Sequence, residues 1–105
     1  LFMKIQFESQ QIRIRISPAE LAHLEQYAKI NEVFDYLPLC VNLNLMPEQH
    51  AGLLQSGVLS LNVSAEDLVQ LRTPSSQKTG IKLLANYGVE QVIAVGLQLD
   101  LHGKN

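Results

Sequence analysis

Apolar and polar residues alternate along several short segments of this chain. The segment "IRIRIS" (12–17) places an isoleucine at every second position, and "LSLNVS" (59–64) has the same arrangement. A period of two is typical of a β-strand that buries one of its faces. Similar patterns predict further strands in "INEVFDYL", "CVNLNLM", "GIKLLAN" and "VEQVIAVGLQLDLH". The first of these, residues 30–37, could instead extend a helix, and this alternative stays open.

A helix is predicted to follow each of the two alternating strands. Ser17 and Ser64 stand where an N-cap is expected, because a serine hydroxyl can accept a hydrogen bond from an amide of the first helical turn. Glu20 and Asp67 follow three residues later, so that the first pair forms a capping box and the second imitates one with a shorter side chain.

Turn signals separate these elements. The first helix is expected to reach about residue 29, and the second to end near residue 73, where a proline follows. The segments "ESQQ" (8–11) and "QSG" (55–57) each lie between two strand-like runs and predict a hairpin. The clearest loop is "TPSSQKTG" (73–80).

The chain matches itself when it is shifted by 47 positions, so that the segment from Met3 lies on the segment from His50 without a gap. Each half then follows a ββαββ pattern, with the halves at about 3–49 and 50–102. The predicted fold class is α+β. Eight antiparallel strands form one strongly curved sheet or an eight-stranded barrel, with two short helices.

Composition places the chain among ordinary globular domains. Its 105 residues, 47% hydrophobic and 17% charged, are enough for one domain, predicted over residues 3–105 with residues 1–2 left out. The formal net charge of −2 gives no general attraction to nucleic acid. No run approaches the roughly 18 apolar residues of a membrane span. We therefore expect neither nucleic acid nor a membrane as a partner.

A single cysteine, Cys40, excludes a disulfide within the chain. This favours a reducing, cytoplasmic location, and no secretory leader is expected because strand-like sequence follows Met3 directly. Cys40 lies in the apolar run "LPLCVNLNL", where a buried small hydrophobe is expected rather than a nucleophile.

No motif for catalysis or for a cofactor stands out. His23, His50 and His102 are scattered, and no H-x-x-x-H, C-x-x-C or D-x-D pattern is present. A G-x-S-x-G elbow, a P-loop and a dinucleotide fingerprint are also absent from the sequence. The sequence therefore predicts no metal, no cofactor and no catalytic residue, and it predicts surface positions for the histidines.

One set of polar residues could have a function beyond folding. If the aliphatic residues of the strands face the core, the opposite face collects positive charges and amides, while most acids lie in helices and loops. Such a face could hold an anion, a phosphate or an acidic peptide segment. The candidate ligand-binding residues are Arg13, Arg15, Lys4, Lys82, Asn42, Asn44 and Asn62. Arg13 and Arg15 stand out, because the second half has Ser60 and Asn62 in their place.

The favoured interpretation is a small, non-enzymatic binding module whose basic, amide-rich sheet face takes an anionic small molecule or an acidic protein segment. Three alternatives stay open. The polar face could simply be the solvated side of the sheet, with arginine and lysine discouraging edge pairing. The chain could be a phosphoester- or polyphosphate-processing enzyme that uses a barrel interior. It could also be a structural homodimer that shares the apolar runs "LPLCVNLNLM" and "VIAVGLQL".

The opening of the chain resembles that of an uncharacterised family of small bacterial proteins. Residues 3–5, 12–17, Glu20 and Leu21 carry the likeness. They form a short lysine-bearing strand, a strand of alternating arginine and aliphatic residues, and a serine and an acidic residue that open a helix. The resemblance is close over this opening and covers the remainder only as a pattern of strands. It implies no activity and no functional residues.

The inferred topology is also similar to that of the adenylate cyclase/thiamine triphosphatase superfamily. Those proteins build an eight-stranded antiparallel tunnel from two repeats and bind triphosphate inside it. Their first strand bears a Glu-x-Glu-x-Lys motif for metal and phosphate, whereas "KIQFE" has Lys4, Gln6 and Glu8 there. The resemblance therefore does not extend to metal-dependent hydrolysis, and a likeness of fold alone implies little about function.

Overall fold

The computed structural model describes residues 3–73 and 80–100, which contain eight strands and two helices. In chain order these are β1 (Lys4–Phe7), β2 (Gln11–Ile16), α1 (Pro18–Tyr27), β3 (Lys29–Phe34), β4 (Leu39–Leu45), β5 (Gly52–Gln55), β6 (Val58–Val63), α2 (Ala65–Leu71), β7 (Ile81–Tyr87) and β8 (Gln91–Leu99). The fold class is α+β, as predicted, and each half of the chain follows the order strand, strand, helix, strand, strand.

Both helices begin with a reciprocal capping box. The Glu20 amide donates to Ser17 Oγ at 3.1 Å, and the Ser17 amide donates to Glu20 Oε1 at 3.0 Å. In α2 the Asp67 amide donates to Ser64 Oγ at 3.2 Å, and the Ser64 amide donates to Asp67 Oδ2 at 2.8 Å. The predicted helix starts are confirmed, and the shorter aspartate completes its box as well as the glutamate does.

The helices end slightly earlier than expected. After Tyr27, Ala28 adopts a left-handed conformation (φ 62°) and its amide donates to the Leu24 carbonyl at 2.8 Å, which closes α1. Helix α2 ends at Leu71. Residues 30–34 belong to β3, so the alternative of an extended helix is wrong, and a turn follows in place of the last residues of the predicted run. The predicted loop at 73–80 lies almost entirely outside the described residues.

A tight turn joins β5 to β6, as the sequence predicts. Its two central residues, Ser56 and Gly57, have φ values of 53° and 77°. Such a pair of positive φ values is the geometry that matches the twist of a two-residue hairpin. A Cβ atom on Gly57 would lie 2.7 Å from the Pro38 carbonyl oxygen, so glycine is required there by space as well as by conformation.

The sheet is mixed, and the prediction of eight antiparallel strands is wrong. The strand order is β1-β2-β8-β7-β5-β6-β4-β3, with parallel pairing of β2 with β8, β4 with β6, and β5 with β7. The remaining neighbours are antiparallel. Each hairpin therefore meets a strand of the other half. Alternation specifies which face of a strand is buried but not which strand lies beside it.

The sheet curls strongly into a half-barrel but does not close. Strands β1 and β3 are the two edges, and no backbone ladder joins them within the described residues. The edges approach each other at one end, where the Met3 amide donates to Glu32 Oε1 at 3.2 Å. We call the gap between β1 and β3 the open seam. The predicted alternative of a closed barrel is therefore wrong.

The interior of the curled sheet is a single apolar core. Alternate residues of β2, β4, β6, β7 and β8 point inward, and Ile14, Leu43, Leu61 and Leu97 are completely buried. Leucines of both helices belong to the same cluster, which shows that the helices cover the inner side of the sheet. The other side of the sheet is therefore an outer face that borders solvent.

Replacing Ser17 with alanine removes the acceptor of the Glu20 amide at a buried helix start. We expect Ser17→Ala to lower the free energy of unfolding by about 1–2 kcal/mol, because the donor stays buried without a partner. Urea denaturation followed by circular dichroism measures the change. Ser9→Ala, at an exposed position of the β1–β2 turn, is the control and should cost less than about 0.5 kcal/mol. Equal effects of the two substitutions would contradict the stabilising role of the cap.

Candidate functional site

Strand register brings two of the candidate cations to either side of a glycine. Arg13 on β2 lies opposite Gly96 on β8, and Gly96 lies opposite Lys82 on β7. Two strand spacings separate Arg13 from Lys82, a distance of about 10 Å between Cα atoms. Because Gly96 has no side chain, nothing from β8 separates the two cationic side chains on the outer face.

Arg15 continues this row of charges along β2. It lies opposite Lys4 on β1 and opposite Gln98 on β8. Arg15 is exposed and Arg13 is half-buried, and neither makes a hydrogen bond or ion pair with another described residue. We call Arg13, Arg15 and Lys82 the basic surface. The structure therefore brings together three of the seven residues that the sequence singled out.

Lys4 is adjacent to the basic surface but its charge is compensated. Its Nζ atom donates to Asp100 Oδ2 at 2.8 Å, and the carboxylate side chain is only 12% exposed. The Asp100 amide donates to the Ile16 carbonyl at 2.7 Å, which holds the carboxylate at the end of β8. Lys4 therefore contributes less free positive charge than the sequence indicated.

The three candidate asparagines lie in another part of the sheet. Four strands separate β4 from β2, so Asn42 and Asn44 do not approach the arginines. Asn44 Nδ2 donates to Ser60 Oγ at 3.0 Å, and Asn62 Nδ2 donates to the Ala51 carbonyl at 3.3 Å. Asn42 Oδ1 accepts a hydrogen bond from Asn31. The side-chain amides of these asparagines are therefore hydrogen-bonded to groups on or next to neighbouring strands.

A shallow trough crosses the outer face along β8. It has a volume of about 590 Å³ and is lined by Ala94, Gly96, Gln11 and Lys82, with Glu8 at one end. Ala94 and Gly96 form its floor, because these small residues lie lower than the longer side chains of β2 and β7. We call it the β8 trough. Sequence reasoning missed it, although two small residues at alternate positions of a long strand were the available signal.

A second depression, of about 680 Å³, lies on the other side of Lys82. It is lined by Glu48, Glu66 and Asp67 among others. Three carboxylates around one ammonium group do not favour an anion there. The β8 trough has one lining carboxylate, Glu8, and its floor residue Gly96 lies opposite Arg13.

Glu20 is the more deeply buried of the two buried carboxyl groups among the described residues, the other being Asp67. The Glu20 side chain is completely buried, and Oε2 has no hydrogen-bond partner among the described residues. Burial raises the pKa of Glu20, with a further contribution from Glu32, while the hydrogen bonds from Ser17 oppose the shift. This carboxyl lies on the inner side of the sheet, so it belongs to the helix cap rather than to the basic surface.

The described residues hold no apparatus for covalent or metal chemistry. They contain no group of three histidine, cysteine or carboxylate side chains that could hold a metal ion. The thiol of Cys40 is half-buried and accepts a hydrogen bond from Asn31 at 3.0 Å. His23 is half-buried beside the Tyr27 ring, His50 is exposed, and His102 lies outside the described residues.

Comparisons with models of protein families, with curated proteins and with solved structures found no match for this chain. Within residues 3–73 and 80–100, neither helix has the length and apolar character needed to cross a membrane. Any statement about function therefore rests on the site itself.

The raised pKa of Glu20 predicts a pH dependence of stability. The folded state holds the Glu20 proton more tightly than the unfolded state, whose ordinary pKa is 4.5. This contribution to stability is complete below pH 4.5 and is lost as the pH rises through the folded-state pKa. We expect the free energy of unfolding of the wild type, measured by urea denaturation, to fall as the pH rises through this range, relative to that of Glu20→Gln.

Glu25→Gln is the control for this experiment. The hydrogen bond from Arg72, at 2.5 Å, lowers the pKa of Glu25, so its small contribution has the opposite sign. A wild type and a Glu20→Gln variant with parallel pH profiles would contradict the assignment of Glu20.

Proposed function

We propose that this protein is a non-enzymatic binding module that holds an anionic group on the outer face of its sheet. The observation that carries the proposal is the basic surface, in which strand register places Arg13, Arg15 and Lys82 side by side. These cations make no ion pair or hydrogen bond within the described chain, whereas Lys4 and Arg72 are both engaged by carboxylates. Three like charges that are close together and form no ion pair of their own favour an anion from outside.

The chemistry of the basic surface suits a carboxylate or a phosphate. Arginine presents a planar set of donors that can bind two oxygens of either group at once, and lysine adds a point charge. The surface is open rather than enclosed. An open site of this kind gives modest affinity that weakens with salt, as expected for a module that docks a partner reversibly.

The enzymatic alternative finds little support. A phosphoester- or polyphosphate-processing enzyme of barrel type would need polar groups inside the sheet, and the interior is filled by buried aliphatic side chains. The alternative of a structural dimer was based on two apolar runs. Val41, Leu43, Val95 and Leu97 of those runs are buried within the chain's own core, so they need no second copy to cover them.

We further infer that the two halves arose by duplication of a ββαββ unit. Three features support this inference: the same order of elements, a serine capping box at each helix, and matched parallel pairings of β2 with β8 and β6 with β4. The resemblance of the opening to an uncharacterised bacterial family remains a prediction. A cytoplasmic location is likewise proposed, on the ground of the single cysteine, Cys40.

Removing the arginines should weaken anion binding without unfolding the protein. The probe is fluorescein-labelled hexaglutamate, measured by fluorescence anisotropy at low salt. We expect Arg13→Gln/Arg15→Gln to weaken binding roughly tenfold or more, as loss of two exposed charge pairs implies, and to leave the melting temperature nearly unchanged.

The matched control is Lys29→Gln/Arg72→Gln, which removes the same net charge from exposed positions away from the basic surface. It should retain most of the wild-type affinity. If both double variants lose affinity equally, or if neither does, the basic surface is not the site.

A further inference from the structure

Apolar side chains continue the outer face beside the basic surface. Leu84 follows Lys82 by two residues on β7 and lies opposite Ala94 on β8. Val92 and Leu53 lie on either side of one β7 residue, Asn86. Leu84, Val92 and Leu53 are 45%, 54% and 47% exposed. We call Leu53, Leu84, Val92 and Ala94 the apolar surface.

The two surfaces follow each other along strands β2 and β8. Four successive outward positions of the parallel strands β2 and β8 lead from Arg15, past Arg13, to Ala94 and then Val92. At about 3.3 Å per residue, these three steps of two residues span about 20 Å. A single inorganic anion would contact the cations and would leave the apolar part of this length exposed to solvent.

Charge is distributed unevenly along the outer face, which gives a bound acidic segment a preferred orientation. Along β2, Arg15 and Arg13 lead toward Gln11, and Glu8 beyond it accepts a hydrogen bond from Gln11 at 2.6 Å. Carboxylates of a partner are therefore attracted toward Arg13 and Arg15 and repelled from the Glu8 end. The apolar surface lies toward that second end.

We propose that the outer face along β2 and β8, from the basic surface to the apolar surface, binds an acidic polypeptide segment in an extended conformation. Its carboxylates lie at the basic surface, and its aliphatic side chains cover the apolar surface. This inference rests on the proposed function, because it names the partner of the same cations. An extended segment of about six residues matches the roughly 20 Å from Arg15 to Val92.

An anionic membrane is the other surface that could attract cations beside apolar groups. Peripheral membrane contacts are commonly made by an amphipathic helix with tryptophan, phenylalanine or leucine on its apolar face. The apolar surface lies on strands, and it contains two leucines, a valine and an alanine but no aromatic side chain. The geometry favours a polypeptide, because an extended chain can follow the strands past both surfaces.

The test selects peptides from a random heptapeptide display library on the immobilised full chain. We expect the selected peptides to combine acidic residues at one end with aliphatic residues at the other. In anisotropy measurements with the selected peptide, Leu84→Thr/Val92→Thr should weaken binding by about tenfold, since two half-exposed side chains lose their apolar contacts. The control Val33→Thr/Val69→Thr changes two aliphatic residues elsewhere that are somewhat more exposed, and it should not weaken binding.

Different outcomes separate the two proposals. If selected peptides are acidic only, or bind Leu84→Thr/Val92→Thr as tightly as the wild type, the polypeptide partner is overturned while hexaglutamate binding still supports an anion site. If hexaglutamate also binds Arg13→Gln/Arg15→Gln normally, both proposals fail. Sedimentation of the chain with phosphatidylserine vesicles, or a concentration-dependent dimer abolished by Leu84→Thr/Val92→Thr, would overturn the polypeptide partner in favour of a membrane or a second copy.

Discussion

The parallel pairing of β2 with β8 is the interaction on which the rest of the structure depends. It joins the first half of the chain to the second through six residue pairs, and its inward side chains, Ile14 and Leu97, are completely buried. The same ladder places Arg13 beside Gly96 on the outer face. One set of backbone hydrogen bonds therefore closes the core on one side and assembles the basic surface on the other.

The elements of this fold follow from local chemistry that a sequence displays directly. Alternation specified the inward residues of the strands, and a serine followed by an acidic residue specified the start of each helix, because both signals act within a few residues. The neighbours of each strand could not be obtained in this way. Pairing of β2 with β8 depends on how two distant hairpins share a core, and no short pattern encodes that choice.

The candidate site shows the same division between local and distant information. Arg13, Arg15 and Lys82 could be named because outward positions of strands are readable from the pattern. The compensation of Lys4 by Asp100 and the separation of Asn44 from the arginines depend on strand order, which was unknown. The β8 trough depends on the missing side chain at Gly96. A glycine in a strand indicates a depression only when the residues beside it in the sheet are known.

Because of the open seam, this sheet lacks a geometric constraint that a closed barrel has. In a closed barrel, strand number and stagger together set the radius, and no strand can move outward without breaking a ladder. Here the edges β1 and β3 meet through the hydrogen bond between Met3 and Glu32. The curvature of this sheet is therefore set by the helices and aliphatic side chains packed inside it rather than by a closed ladder of hydrogen bonds.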